Sequence, residues 1–421
     1  MIGFDTLYSW VRELPIVDWH NHLDLAVLAE DRPLGSLYEV WVKADPYKHR
    51  AMRICGEPER VITGDASERE KWAAWTRTLP KLVGNPLFAW AKMELEKFKV
   101  ESGKFKVVDG EAKIENVLLS EWTPSKILKK FNVEYLSPCV GAGELEGLQT
   151  TDDRLRGTAR GEVASKSEVP SPKSSFKVVP SLRMNAGDEI PVEALEKFDS
   201  AGCRVVDISV DDASRLSTFN SRLSTVAAYA AAHGWTMLLH LGALRETSAR
   251  LRAVAGPAGG FAGMCAPVDP AAVAAFLNGL ESTHNPVQNS LPRTILMSLN
   301  PEAHASLAVL AGSFNEAGMP GKVQLGPAWW WCDHEERIRD VLEKNAAYGV
   351  LSTFVGMTTD SRALLSFVRH DYFRRVLCKW VAEKVALGAF PDDESLLRPM
   401  LENTCYRNAK AMVSDGCAIR A

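Results

Sequence analysis

Pro15-Ile16-Val17-Asp18-Trp19-His20-Asn21-His22 is a short apolar run that passes directly into polar side chains. A run this short, opened by a proline and rich in β-branched and aromatic residues, reads as a buried strand over Ile16–His20. A buried strand needs partners, and the chain supplies them. Val133–Val140, Phe176–Pro180, Cys203–Val210, Thr236–His240, Thr294–Leu299, Val323–Leu325 and Leu351–Val355 are runs of the same kind, which makes eight candidate strands. Helical patterns separate most of them, over Val192–Ala201, Ser214–His233, Ala271–Leu280, Ala303–Phe314 and Glu335–Ala347. Strands alternating with helices argue for parallel βαβ units, and eight of them argue for a closed (β/α)8 TIM barrel. An open doubly wound sheet is the competing layout.

Residues 3–13 read as a short helix before the first strand. From Leu34 to about Lys130 the pattern is mostly helical, with Tyr38, Trp41, Trp72, Trp75, Phe88 and Trp90 at spacings that fit one helical face. Within it, Lys104–Ile114 reads as a hairpin turning at Asp109-Gly110. The expected organisation is a barrel made of residues 1–33 and 131–421, with residues 34–130 as a mainly helical insertion after the first strand that contributes to the active site. The Ser/Lys/Pro-rich residues 165–175 read as a surface loop, and Ala255–Ala272 as a mobile one.

Composition narrows the class. The 421 residues are 46% hydrophobic and 24% charged, ordinary values for a soluble globular protein. A formal net charge of -4 argues against a general nucleic-acid binder, while leaving room for a local basic pocket that takes a small acid. Eight scattered cysteines without a Cys-x-x-Cys pair read as reduced thiols. The N-terminus lacks the basic start and apolar core of a signal peptide, and no run of 18 apolar residues exists, so the expected location is the cytoplasm and no membrane contact is expected.

In a barrel of this type chemistry gathers at the carboxyl ends of the strands. The first strand ends in His20-Asn21-His22. Residues at i and i+2 of an extended segment share a face, and two neutral imidazoles there suit zinc or a similar divalent ion. Two unrelated polar residues at a loop start are the plainer reading. His240 closes the fifth run; it reads equally as a third ligand and as a hydrogen-bonded core residue. Asp360 follows the eighth run, where a carboxylate binds a metal or acts as a base, and where it also caps the helical run that follows. Arg362 offers a fixed fork of donors to a carboxylate or an enediolate. Arg183 follows the third run as an anchor for an anion or one half of a surface ion pair. Trp329-Trp330-Trp331 cannot all share one core face, so at least one ring should line a cleft where a sugar can stack; filling the barrel mouth is the plainer reading. Taken alone, Asp45–Arg53, with Tyr47 and His49 in it, reads as a solvated helix face.

Taken together, these stretches resemble the uronate isomerases (glucuronate/galacturonate isomerases), a branch of the amidohydrolase superfamily. The resemblance is carried by Asp18-Trp19-His20-Asn21-His22-Leu23, Asp45 to Arg53, Thr63 to Ser67, Gly84-Asn85-Pro86-Leu87, His240 to Arg245, Ser298-Leu299-Asn300-Pro301, Ala328-Trp329-Trp330, Phe354 to Arg362 and Arg369 to Arg375. These stretches follow the family's order across nearly the whole chain. It implies a barrel of the amidohydrolase type that interconverts aldo- and ketouronates, D-glucuronate with D-fructuronate and D-galacturonate with D-tagaturonate. It implies one divalent metal ion, zinc, held by His20, His22 and Asp360 with His240 beside them. Asp360 would move the C2 proton. Tyr47 and Arg362 would serve the enediol oxygens. Arg183 would hold the substrate carboxylate, with Trp330, His49 and Arg53 also at the substrate. The implied partner is the small-molecule uronate, and the aromatic-rich insertion could pair with a second copy of the chain.

The chain departs from the family pattern in places. Pro46 stands where the family has His, His49 where it has Trp, and Asp207-Ile208 where it often has Asp-His. Thr151-Asp152-Asp153 comes later than its family counterpart, beyond an extra loop. A metal-dependent hydrolase acting on a small anionic ester, lactone or amide is the second hypothesis. Arg183, Arg362 and Tyr47 separate the two, because a metal-activated water has no use for them. A barrel that kept its fold and lost its chemistry is the third, and the joint presence of His20, His22, Asp360 and Arg362 counts against it.

Overall fold

The structure is a computed structural model that describes residues 1–98, 106–145, 176–212, 216, 220–281 and 291–414. Residues 165–175, Thr151-Asp152-Asp153 and the first residues of the expected hairpin lie outside the described residues. Seven parallel strands form one curled sheet in sequential order: β1 (Ile16–Asn21), β2 (Val133–Gly141), β3 (Ser181–Asn185), β4 (Val205–Val210), β5 (Thr236–Leu241), β6 (Arg293–Ser298) and β7 (Val323–Leu325). The fold is α/β, and the curled sheet is consistent with a (β/α)8 barrel. Strands β1, β4, β5 and β7 are buried at every residue, as expected of continuous apolar runs covered on both faces.

Helices between the strands fall close to the expected places: Val192–Ser200, Asn220–Ala232, Pro270–Glu281, His304–Ala311 and Glu335–Tyr348. The helices Leu37–Trp41, Pro46–Ile54, Glu68–Thr78 and Pro86–Phe98 follow β1. Local chemistry starts two of them. Asp45 caps Pro46–Ile54 by accepting from Tyr47 N and Lys48 N, with Pro46 at the first turn where its missing N–H is no loss. Ser67 and Glu70 form a capping box on Glu68–Thr78. Their apolar faces build a cluster of Leu37, Trp41, Trp72, Trp75 and Trp90 that also packs on Ile16, Val133 and Leu136 of the sheet. The hairpin pairs Lys106–Val108 with Glu111–Lys113, and Asp109 and Gly110 both adopt the left-handed conformation that its two-residue turn demands.

Two expectations need correction. The third strand is not Phe176–Pro180. Only Lys177–Val178 pairs with β2, and the ladder to β4 is made by Ser181–Asn185. Pro180 cannot donate to a ladder, so the strand breaks there. Leu351–Val355 is not a strand either. Leu351–Thr353 is a 3-10 turn, and the extended residues after it form no ladder. They still bond to both edges of the sheet, mostly through side chains. Val355 N donates to Gln324 Oε1 of β7 at 2.8 Å. At the other edge, His20 N donates to Thr358 Oγ1 at 2.9 Å, and His22 N to Ser361 O at 2.8 Å. A ladder is ruled out because Gly356 (φ 73°) and Asp360 (φ 47°) both turn the chain into the left-handed region.

A side chain at Gly356 would also run into Thr404 O. Gly356→Ala should therefore lower stability by about 2–4 kcal/mol. Thermal melts followed by circular dichroism check this, and an unchanged midpoint would contradict the close approach.

Candidate active site at the strand ends

Strand register sets the centre of the site. Asp207 of β4 lies beside Arg183 of β3 and beside Leu238 of β5, two residues before His240. Its Oδ1 is 2.6 Å from His240 Nδ1. Its Oδ2 accepts from Arg183 Nη1 and lies 3.9 Å from His20 Nε2. Burial would raise this carboxyl, but Arg183, His240 and His20 outweigh it and hold it well below the usual carboxylate range.

Asp360 forms the second focus. Its Oδ1 lies 3.2 Å from His20 Nε2 and 3.0 Å from His22 Nε2. Its backbone N–H donates to His20 O at 3.2 Å. Burial again opposes ionisation, and the two imidazoles override it, so the Asp360 carboxyl is held well below the usual range. His22 is lowered to about 4 by burial, against the pull of Asp360, and stands as the neutral imidazole that ligates metals. Burial also lowers His20, but Asp207 and Asp360 together raise it on balance.

The imidazoles leave donor atoms over. Neither ring nitrogen of His20 closes a directed hydrogen bond, and His240 Nε2 has no partner among the described residues. Such buried polar atoms each cost about 1–3 kcal/mol unless something satisfies them. In each of two sets the ligand atoms lie within 4.8 Å of one another: His20, His22 and Cys139, and His20, Asp207 and His240. Cys139 Sγ is 2.9 Å from His22 Nδ1. Two buried carboxylates around His20, with unpartnered imidazole nitrogens, fit a divalent cation.

Around this centre lies a cavity of about 240 Å³ lined by His20, His22, Tyr47, Arg183, His240, Arg245, Trp329, Trp330, Trp331, Asp360 and Arg362. Arg362 is exposed and makes no hydrogen bond to the described residues. Arg245 bonds Asp211, donates to Ser209 Oγ at 3.1 Å and lies over the Trp330 ring. Burial, then the neighbouring Arg183, lowers Arg245 to about 10. Trp329 meets His240 edge-on at 4.5 Å between ring centroids, and Trp330, at φ 53°, stacks on it. Helix Pro46–Ile54 delivers Tyr47, whose buried hydroxyl has no partner among the described residues. Burial raises that phenol well above its ordinary value despite the Arg369 cation beside it, so it keeps its proton.

His49 and Arg53, on the same helix, lie outside the cavity wall. Arg53 makes a two-pronged pair with Glu59 and donates to Gly259 O. His49 is buried with its ring lowered by that burial. The loop that Arg53 holds supplies Pro257, Ala258, Gly260 and Ala262 to the wall. Gly260 sits so close to Pro46 O that a side chain would collide.

Asp207, Cys139, Arg245 and Asp18 were absent from the expected site. The two aspartates carried a signal: a lone Asp within a buried strand must find a partner, whereas Cys139 carried none, since a buried thiol packs as a small apolar group. Arg245 gave none beyond its place in the stretch after His240.

A family model described as glucuronate isomerase matches residues 4–216 and 207–413. The chain is 32% identical to a uronate isomerase of Geobacillus thermodenitrificans over 468 residues, covering 96% of this chain and 94% of that protein. It is 34% identical to a uronate isomerase of Vibrio vulnificus over 454 residues, covering 94% and 93%. A uronate isomerase structure from Thermotoga maritima superposes with a TM-score of 0.80 at 24% identity, covering 98% of this chain and 97% of that one. A glucuronate isomerase structure from Caulobacter crescentus gives 0.78 at 20% identity, covering 97% and 93%. The two structural likenesses bear on the fold.

Asp207→Asn would remove one charge between Arg183, His240 and His20. Metal affinity, measured by competition with a chromophoric chelator, should fall about 10–100-fold. An unchanged affinity would place the cation away from His240.

Proposed function

The chain belongs to the uronate isomerase family, and from that premise we propose that this cavity interconverts aldo- and ketohexuronates by moving one proton between C2 and C1. The observation that supports it most is the convergence of one ionised carboxylate, one protonated phenol and three guanidinium groups on a cavity sized for a small molecule. A sugar acid needs a fixed cation for its carboxylate, and an enediol needs a base at carbon and a donor at each oxygen.

Asp360 takes the proton from C2, and its electron pair becomes the C1–C2 double bond. The Tyr47 phenol gives its proton to the C1 oxygen, with Arg362 stabilising the charge that develops there. The C2 hydroxyl then returns a proton to the Tyr47 oxygen as C2=O forms, and Asp360 delivers its proton to C1. Arg183 holds the substrate carboxylate with the part of its fork not committed to Asp207. Trp330 offers a ring face to the sugar. His49 and Arg53 act at a distance from the substrate, by fixing the helix that carries Tyr47 and the loop that faces it.

His20, His22 and Asp360, with His240 or Cys139 beside them, would hold one divalent ion; imidazole, carboxylate and thiol donors together favour zinc. When bound, the ion supplies a fixed positive charge that polarises the substrate oxygens. We further read the chain as a barrel of the amidohydrolase type, with residues 34–130 as its insertion. A cytoplasmic location is supported by the cysteines, which are free thiols throughout the described residues. No helix among these residues is long and apolar enough to cross a membrane.

Incubation with D-glucuronate and with D-galacturonate in D2O, followed by NMR, should give ketose with part of the original C2 proton now at C1. No ketose from either sugar would overturn the reading. Asp360→Asn should lower kcat by about 10²–10⁴-fold in a folded protein; near-normal turnover would remove its role as base. Arg183→Lys keeps a charge for Asp207 but loses the fork, so KM should rise about 10-fold with kcat nearly unchanged. An unchanged KM would take Arg183 off the substrate carboxylate.

A further inference from the structure

Asp360 holds an unfavourable backbone conformation, with φ at 47°, and no turn glycine relieves it. Such a conformation persists only where the surroundings over-determine it. Three side chains that do not line the cavity make that surrounding: Asp18 on β1, and Arg369 and His370 at the start of helix Val368–Ala386.

Asp18 is fully buried, and both its oxygens are in use. Oδ1 accepts from Thr359 N at 2.7 Å and lies 3.0 Å from both Thr358 Oγ1 and His370 Nε2. Oδ2 accepts from Thr359 Oγ1 at 2.8 Å and from Asn21 Nδ2 at 3.1 Å. Arg369 approaches from the other side. Its Nη1 donates to Thr359 O at 3.1 Å. That carbonyl belongs to the peptide whose nitrogen is Asp360 N, and Asp360 N donates in turn to His20 O. The N–H, hydroxyl and carbonyl of Thr359 are therefore all held, and the peptide plane that sets the φ of Asp360 cannot rotate freely.

Arg369 has a second grip. Its guanidinium lies 4.1 Å from the centroid of the Trp90 ring and 4.7 Å from that of Tyr47. It is buried to 1% exposure, with Asp333 Oδ2 at 3.6 Å as its nearest carboxylate. An arginine this deep is rare without dedicated partners. Here the partners are the backbone beside one reacting group and the ring of another.

We propose that Asp18, Arg369 and His370 are positioning residues for the isomerisation: they fix the Thr359–Asp360 peptide and the Tyr47 ring, and so set the distance between base and acid across the substrate. The inference rests on the assignment of Asp360 as the base. Residues that aim a base affect the chemical step more than binding, and they affect how long the captured proton stays out of solvent.

The experiment compares Asp18→Asn, Arg369→Gln, His370→Gln and His370→Phe with the unaltered metal-loaded enzyme. Each is assayed on the aldouronate that the enzyme turns over, in H2O for kcat and KM and in D2O for the fraction of C2 proton retained at C1. Asp18→Asn and Arg369→Gln should lower kcat 30-fold or more, change KM less than 3-fold and reduce proton retention at least twofold. His370→Gln keeps a donor for Asp18 and should stay within about 3-fold of the parent, while His370→Phe should lose 10-fold or more. A residue that matters only for folding would lower the melting temperature and leave retention and the kcat-to-KM pattern unchanged; that result in the folded variants overturns the proposal. If Arg369→Gln or Asp18→Asn does not fold, the His370 pair decides, since equal kcat and retention in both would overturn it. Asp360→Asn runs alongside: full activity there defeats the base assignment, whereas an inactive Asp360→Asn with unaffected positioning variants defeats this inference alone.

Discussion

A buried carboxylate near one end of the chain organises the site. Asp18 sits on the first strand and draws to itself two threonines from some 340 residues later and a histidine from the long helix beyond them. A buried carboxylate left without donors would carry a large desolvation penalty, so these donors are obligatory partners. Meeting that demand brings residues 358–360 against β1, in the gap between the two edges of the curled sheet. Asp360 reaches His20 and His22 because Asp18 has already fixed the two residues before it. The proposed metal-ligand pair and the proposed base are thus assembled by one act of hydrogen-bond satisfaction.

The electrostatics follow the same logic one layer inward. The protein is net acidic, yet the cavity wall presents Arg183, Arg245 and Arg362. Two buried carboxylates, Asp207 and Asp360, balance part of that charge and tie it to specific atoms. Asp207 keeps Arg183 and His240 in fixed orientations, and Asp360 does the same for His20 and His22. What remains unpartnered among the described residues is a set of imidazole nitrogens, suited to the proposed cation, and the Arg362 guanidinium, suited to an anion. Charge in this site is arranged by position rather than by total, which is how an acidic protein can receive a sugar acid.

Much of this was legible in the residues. The βα alternation came through because strands buried on both faces are almost purely apolar, and β4, β5 and β6 fall where the apolar runs lie. His20, His22, Asp360 and Arg362 were visible because polar residues at the end of such runs have few structural uses. The failures have physical causes. Phe176–Pro180 looked like a strand by hydrophobicity, but hydrophobicity does not register the donor that Pro180 lacks. Leu351–Val355 looked like the eighth strand, yet Val355 meets β7 through Gln324 and only the later residues 358–361 meet β1, largely through Thr358 and Asp18, and side-chain bonds between distant residues leave no periodic trace. Asp207 stands inside a buried run rather than at its end, so its partners show only in the strand register. Arg53 and His49 showed their chemistry but not their direction; several residues of this nine-residue helix are buried, yet only Pro46 and Tyr47 line the cavity.

The tie between β1 and residues 358–360 has a consequence during biosynthesis. His20 and His22 emerge from the ribosome some 340 residues ahead of Asp360, the carboxylate they meet. For that interval two imidazoles and a growing edge strand exist without their closing segment. Contacts spanning so much sequence form late and slowly. The gap between the two edges of the sheet then stays unfilled until residues 358–360 return to the first strand. Completion of the cavity is in this sense a late event in synthesis.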